Sequence, residues 1–255
     1  MTGHKPAETR PGRPARISRE AIAAAALEIG LAEVTLAGIA ARLGVDHSSL
    51  YRHAKGRDDI LLAAADLAIA QLDWRTDTGD WRVYLERLAE SLWDLYERHP
   101  GLADVHRTLG DTPVSGIRAF AEAVRRLQEM GFALEDAVLV LDSVTDMTAD
   151  AFSGWQALGR SGAQGTAAEG VTMAEKVQQA WMRAAAEDPD IAGPVQAMMG
   201  VVRGTPKRWW GRKLAMLLDG AAALRSGRGG SSGEEMSRHP SPGKGEPSTR
   251  SGTLK

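Results

Sequence analysis

Cysteine is absent from all 255 residues. Disulfides and Cys-ligated zinc are thereby excluded, and the composition suits a reducing compartment. No apolar run is long enough to span a bilayer, and the first residues are basic and Pro-bearing where a secretory leader would need an apolar core, so a cytoplasmic location is expected. A Walker-type phosphate loop, a Gly-x-Ser-x-Gly elbow and a His-Glu-x-x-His pair are all missing, so the chain reads as a non-enzyme. The glycines of residues 227–233 follow a helical pattern and not a strand, which removes a dinucleotide fingerprint. His99 and His106 are split by a Pro-Gly break with no Cys to complete a ligand set; they read as exposed, and neither metal nor cofactor is expected. A net charge of −2 argues against a surface coated in nucleic acid, yet Lys5, Arg10, Arg13, Arg16 and Arg19 face only Glu8 and then Glu20. The amino-terminal end is locally basic.

What is present is helical periodicity, in a chain 43% hydrophobic and 25% charged that can bury one good core and a smaller one. No strand pattern occurs, and the fold class is all-α. Residues 34–57, VTLAGIAARLGVDHSSLYRHAKGR, read as a helix-turn-helix. Thr35 caps a first helix, with Val34 and Ile39 in staple spacing and Leu36, Ile39, Ala40 and Leu43 on one face. Gly44 supplies the left-handed turn and Asp46 caps a second helix over residues 47–54. That helix turns only Leu50 and Ala54 inward, leaving His47, Ser48, Ser49, Tyr51, Arg52 and His53 to face outward, where they suit base edges. An earlier helix starts at Ser18, with Ile17 and Ile22 as a staple pair, and stops at Gly30. Three helices this short are unstable alone and must share a core of Ile22, Ala26, Ile29, Leu36, Ile39, Leu43 and Leu50. After Gly56, Asp58 and Asp59 sit where carboxylates favour a helix start, and a fourth helix runs to about residue 72.

The Thr-capped helix, the Leu-Gly-Val turn, the run Leu50-Tyr51-Arg52-His53 and the basic residue before an Asp/Leu-rich helix together resemble the tetracycline-repressor (TetR) family over residues 16–72. The resemblance implies that Thr35, Tyr51, His53, Lys55 and Arg57 meet phosphates, and that His47, Ser48, Ser49 and Arg52 face bases. His47 and Ser48 are permissive readers, so DNA shape and the arm take part of the specificity. Arg10, Arg13 and Arg16 fit either a minor-groove arm or a solubilising tail.

The expected division is a basic arm (1–15), a helix-turn-helix DNA-binding domain (16–56), a helical ligand-binding and dimerisation domain (57–225) and a disordered tail (226–255). In the body, Asp80 caps a helix carrying Leu85, Leu88, Leu92, Leu95 and Tyr96, broken by His99-Pro100-Gly101; short and longer helices follow up to Gly131, then a long apolar helix over 134–158. Thr172 and Glu175 form a capping box, Pro189 ends that region, and Pro206 opens the last helix. Trp209, Trp210, Leu214, Leu217, Leu218 and Ala221 give that helix more apolar surface than one neighbour covers, and the family resemblance implies a dimer interface there; intrachain core is the alternative.

Helices beyond those an interface needs suggest a sensing cavity, and the resemblance implies a small-molecule inducer. Expected lining residues are Trp93, Phe120, Val124, Asp142, Asp146, Met147 and Trp155. Asp142, Asp146 and Asp150 recur every fourth residue; facing a cavity, one would pair with a cationic or hydroxyl-bearing ligand, whereas the plainer reading is a solvated helix face. The expected function is a ligand-responsive transcriptional regulator, most simply a repressor, that binds a palindromic DNA operator as a homodimer and is released by an inducer. The alternative is a DNA-binding dimer without a ligand, controlled by abundance or a protein partner.

Overall fold

The computed structural model describes residues 17–75, 78–109, 112–160 and 170–227. The arm with Arg10, Arg13 and Arg16, residues 161–169 and nearly all of the tail lie outside the described residues, among which every regular element is helical.

The head opens with α1 (Arg19–Ile29), whose N-cap Ser18 accepts the Ala21 N–H at 3.1 Å. Helix α2 (Leu36–Leu43) starts on Thr35, which accepts the Gly38 N–H at 3.0 Å, and ends at Gly44 with φ of 65°. That left-handed turn lets the Val45 N–H reach back to the Ala40 carbonyl at 3.0 Å, so the chain reverses within a few residues. Helix α3 is a single turn, His47–Leu50, capped by Asp46, which accepts the Ser48 N–H at 2.8 Å. The sequence suggested a helix to residue 54; instead residues 51–53 form turns. Two successive serines and a histidine favour a cap or turn over a helix interior, and only Leu50 and Ala54 are buried to hold the segment down. The Ala54 N–H still bonds the Leu50 carbonyl at 3.0 Å, which keeps both side chains on the inner face.

Of the expected head core, Ile22, Ala26, Ile39 and Leu50 are buried, while Ile29, Leu36 and Leu43 pack at its margin. Leu31 and Val34, in the α1–α2 connection, complete it. Helix α4 (Arg57–Ile69) spreads its apolar residues around its circumference, so it is covered on more than one side. It packs along α1 and also meets two body helices, α6 (Leu102–Leu109) and α7 (Val114–Glu129).

The body begins with α5 (Trp81–Arg98), capped by Asp80, which accepts the Arg82 and Val83 N–H groups. Helix α8 (Leu134–Gly159) is its central post, with α5, α7 and α11 (Pro206–Gly227) packed around it. Between α8 and α11 come α9 (Met173–Glu187), opened by the expected Thr172–Glu175 capping box, and α10 (Ala192–Val202), which the sequence reading did not foresee. Pro189 does not end the region. It sits at the first position of a 3₁₀ turn, where its missing N–H costs no bond, and α10 follows directly.

Phase on α11 corrects the expected interface. Trp210, Leu214, Leu218 and Ala221 are buried within their own chain, because this stripe faces α8. Trp210 tilts on Trp93 at 4.9 Å between ring centroids and donates to Thr148 Oγ1 at 3.1 Å, while Trp93 meets Phe152 edge-on at 5.2 Å. Trp209 and Leu217 are half-buried, and the large apolar residues left outward on this helix are Met216 and Leu224.

Two joints fasten head to body. Pro100, at the α5–α6 corner, accepts the Leu31 N–H at 3.0 Å, and Gly101, at φ of 90°, lies so close that a Cβ there would stand 2.5 Å from the Ala32 nitrogen. On the other side, Asp66 of α4 accepts the Ser115 N–H of α7 at 2.7 Å, with the Ser115 hydroxyl 2.6 Å from the same carboxylate oxygen. Gly101→Ala forces both an unfavourable φ and a backbone collision, so it should destabilise the protein by about 1–3 kcal/mol in urea unfolding. Wild-type stability in that variant would show that the corner yields and is not a joint.

Candidate functional site

The residues expected to read DNA lie at the start of α2, on α3, in the turns after it and at the start of α4. His47, Ser48, Arg52, Lys55 and Arg57 are exposed, Ser49 and His53 half-buried, and Tyr51 is 55% exposed with its ring edge-on to His47 at 5.4 Å. Tyr51 is therefore turned largely outward. Two members carry structural duties as well. Thr35 spends its hydroxyl oxygen on the Gly38 N–H, leaving its hydroxyl proton to donate, and Arg57 Nε–H donates to the Val34 carbonyl at 3.1 Å, which fixes the guanidinium at the root of α2. A cation so held is placed for a phosphate and poorly placed to track a base.

The segment behind α3 is clamped by a pair the sequence reading missed. Arg19 of α1 grips both carboxylate oxygens of Asp59, at 2.8 and 2.5 Å, and its Nη1 lies 3.4 Å from the His53 carbonyl. Asp59 also accepts the Lys55 backbone N–H at 2.9 Å. The Arg19 hydrogen bonds, helped by the Lys55 N–H and opposed by partial burial, pull the Asp59 carboxyl down to about 2. Read locally, Asp59 is only a carboxylate near a helix start; its partner lies forty residues earlier, and nothing in the spacing marks the pair.

The second candidate site is a cavity of about 680 Å³ walled by α4 to α8. Four expected residues line it: Phe120, Val124, Asp142 and Asp146. Three do not: Trp93, Met147 and Trp155. Trp93 is buried in the aromatic knot with its Nε1–H on Glu97 at 3.0 Å, and Met147 and Trp155 pack against the core on another side of α8. The α8 stripe that borders the cavity is Leu134, Val138, Asp142, Thr145, Asp146 and Ala149. Its three-and-four spacing was visible, but its mixed polarity hid it. Asp142 and Asp146 stand at the open rim, both exposed and lining, while Asp150 one turn on does not border the cavity. Ala65 and Ile69 bring α4 into the wall, and Leu102 and Val105 bring α6. Tyr96, unanticipated, borders it too; burial, and then the charge of Asp146, push its phenol up to about 12, so it remains an O–H donor at ordinary pH.

His99, expected to be exposed, is half-buried: its Nδ1 is enclosed without a hydrogen-bond partner, and burial, then Arg98, lower its pKa. Among the described residues no group of three His, Asp or Glu is placed to hold a metal, and no helix is long and apolar enough to cross a membrane.

Comparison with known proteins follows the same division. Residues 19–64 match the model of bacterial regulatory proteins of the tetR family, and residues 75–224 match that of the tetracyclin repressor-like C-terminal domain. The class A tetracycline repressor from transposon 1721 of Escherichia coli is 30% identical over 190 residues, covering 71% of this chain and 85% of that one. The HTH-type transcriptional repressor DrrR1 of Streptomyces coeruleorubidus is 28% identical over 150 residues, or 55% of this chain, and the match spans 54% of that repressor, little more than half its length. Among solved structures, the Streptomyces coelicolor TetR family protein ActR, in complex with actinorhodin, shares the fold with a TM-score of 0.64 at 19% identity, covering 81% of this chain and 96% of that one.

The clamp carries a pH signature. A carboxylate lowered in the folded state adds stability that is present above its unfolded value of about 4 and lost as pH falls through its folded value. With Arg19 44% exposed, solvent screening holds the cost of Asp59→Asn to about 1 kcal/mol at pH 7. That cost should shrink below pH ~4 and vanish near pH ~2 in denaturant titrations. A pH-independent difference would remove the ion pair from the account.

Proposed function

The chain belongs to the tetR family of bacterial DNA-binding transcriptional regulators, and from that membership we propose a repressor that holds a palindromic operator as a homodimer and releases it when a small molecule fills the α4–α8 cavity. The observation that carries this reading is that α4 serves both sites. Its Asp59 clamps the turn behind α3, and its Ala65 and Ile69 form part of the cavity wall. A ligand that needs more room than the empty cavity offers presses on walls that include α4 and the two helices packed on it, α6 and α7.

In this reading Thr35, Tyr51, His53, Lys55 and Arg57 position the head on phosphates, and His47, Ser48, Ser49 and Arg52 meet base edges. One turn of helix reads few bases, so specificity demands two heads at the spacing of a DNA turn, about 34–36 Å. The dimer surface is the outward face of α11 with Met216, 72% exposed, and Leu224; on α8, Leu139 is exposed as well. This is the stripe beside the one first expected, and its exposed apolar residues support burial against a second copy. Such a regulator works beside the chromosome, in the cytoplasm.

Release is a coupling free energy. A 100-fold loss of operator affinity needs about 2.7 kcal/mol, and bound DNA weakens the ligand by the same factor.

Arg52→Ala and Lys55→Ala separate the two kinds of DNA contact. In operator binding across single-base variants, Arg52→Ala should cost about 1–3 kcal/mol and flatten the preference at one position in each half-site. Lys55→Ala should weaken every variant alike and reduce the salt slope by about one per head. If Arg52→Ala lowers affinity equally for all variants, Arg52 is a phosphate contact and the assignment of base readers is wrong.

A further inference from the structure

Resting on the reading of His47, Ser48, Ser49 and Arg52 as base-facing, we propose that Ser48 selects a cytosine in each half-site: with its proton held by Asp46, its hydroxyl offers only lone pairs and accepts from the cytosine amino group. A free serine hydroxyl can donate or accept and rotates to suit either partner, which is why serine in isolation is a permissive reader. Here that freedom is gone. The Ser48 hydroxyl donates to Asp46 Oδ1 at 2.7 Å, and the Ser48 backbone N–H donates to the same oxygen at 2.8 Å. Both bonds end on a carboxylate and are charge-assisted, hence stronger than bonds between neutral groups. They hold the Asp46 carboxyl below the usual carboxylate range, the hydroxyl bond first and the backbone bond second, so it stays ionised at neutral pH and keeps the Ser48 proton. Asp46 and Ser48 are both exposed, and what they present outward is oxygen lone pairs beside a full negative charge.

Base edges in the major groove differ in what they return to such a group. Guanine shows acceptors, thymine an acceptor and a methyl, adenine an acceptor beside its amino donor, and cytosine the amino donor alone. An acceptor-only hydroxyl next to a carboxylate is repelled by guanine and thymine, meets a mixed edge on adenine, and finds an unopposed donor on cytosine. To read guanine or thymine, Ser48 would have to withdraw its proton from Asp46 and leave a poorly compensated carboxylate beside DNA phosphates. Arg52, exposed as well, carries donors only, so the two side chains ask for opposite base edges.

The half-site is first read by enriching a randomised duplex pool on the full-length wild type. Each cytosine in it is then replaced singly by a pyrimidinone nucleotide, which keeps the ring and lacks the amino group, and affinities are measured by fluorescence anisotropy. The wild type should lose at least about tenfold, about 1.4 kcal/mol, at one cytosine. Ser48→Ala, which leaves the backbone N–H on Asp46, should bind the intact and the substituted duplex within about twofold of each other. Asp46→Asn keeps a capping oxygen without the charge and should narrow the preference for cytosine over thymine at that position; an unchanged ratio would remove the part given to the carboxylate. The proposal is overturned if no cytosine amino group matters to the wild type, or if Ser48→Ala feels its loss as strongly. Guanine, thymine or adenine at the position whose preference Ser48→Ala flattens would overturn it too. Because the wild-type response is read directly, misfolding of a variant cannot hide a negative result. If the wild type enriches no sequence, the operator reading fails and this one with it; an enriched half-site without a Ser48-dependent cytosine removes the role of Ser48 alone.

Discussion

The constraint on which the rest depends is that α4 has no spare face. Its buried residues Ile60, Leu61, Ala64, Ala65 and Ala68 fill one broad face, and the partly buried Leu62, Ala63, Leu67 and Ile69 carry the apolar surface around the rest, so no residue from Asp59 to Ile69 is fully exposed and α4 is covered from several directions. α1 takes one side, α6 and α7 take another, and the cavity opens beside Ala65 and Ile69. A close-packed helix with two clients cannot move for one and stay still for the other. In the proposed function, communication between the cavity and the head needs no dedicated pathway beyond this helix and the joints at its flanks, Asp66 with Ser115 and Pro100 with Leu31.

The head was legible because its elements are set by local chemistry. Ser18, Thr35 and Asp46 were recognisable caps, and Gly44 a recognisable turn, since each rule acts over a few residues. The extent of α3 was not legible. The outward residues of 47–54 looked the same whether the chain continued as helix or as turns, and only the scarcity of inward anchors separates the two. Nor was the Arg19–Asp59 clamp, which depends on α1 and α4 lying side by side. Such ion pairs follow from topology.

The body shows the same division. Caps at Asp80 and Thr172 mark helix starts, whereas α10 is hidden behind Pro189, because proline reads as a stop from inside a helix and is equally a good first residue of the next turn. The errors at the candidate sites were errors of phase. On α11 the most apolar stripe proved to be intrachain core, and the weaker stripe beside it carries the exposed Met216 and Leu224. On α8 the largest residues, Met147 and Trp155, face the core, while the mixed stripe from Leu134 to Ala149 borders the cavity. Residue size and apolarity favour whichever neighbour is already dry; a cavity that admits a ligand from water keeps some polar residues at its edge.

The central claim is that filling the cavity weakens DNA binding through α4. Ala121, on α7, lines the cavity without belonging to the head or to α4. Operator affinity of Ala121→Trp, which sets an indole in that space, is therefore the most direct measurement. Coupling through α4 requires at least about a tenfold loss, or 1.4 kcal/mol, in a variant whose reading residues are intact and whose melting temperature is not lowered. Wild-type operator affinity in a folded protein with an occupied cavity would contradict it.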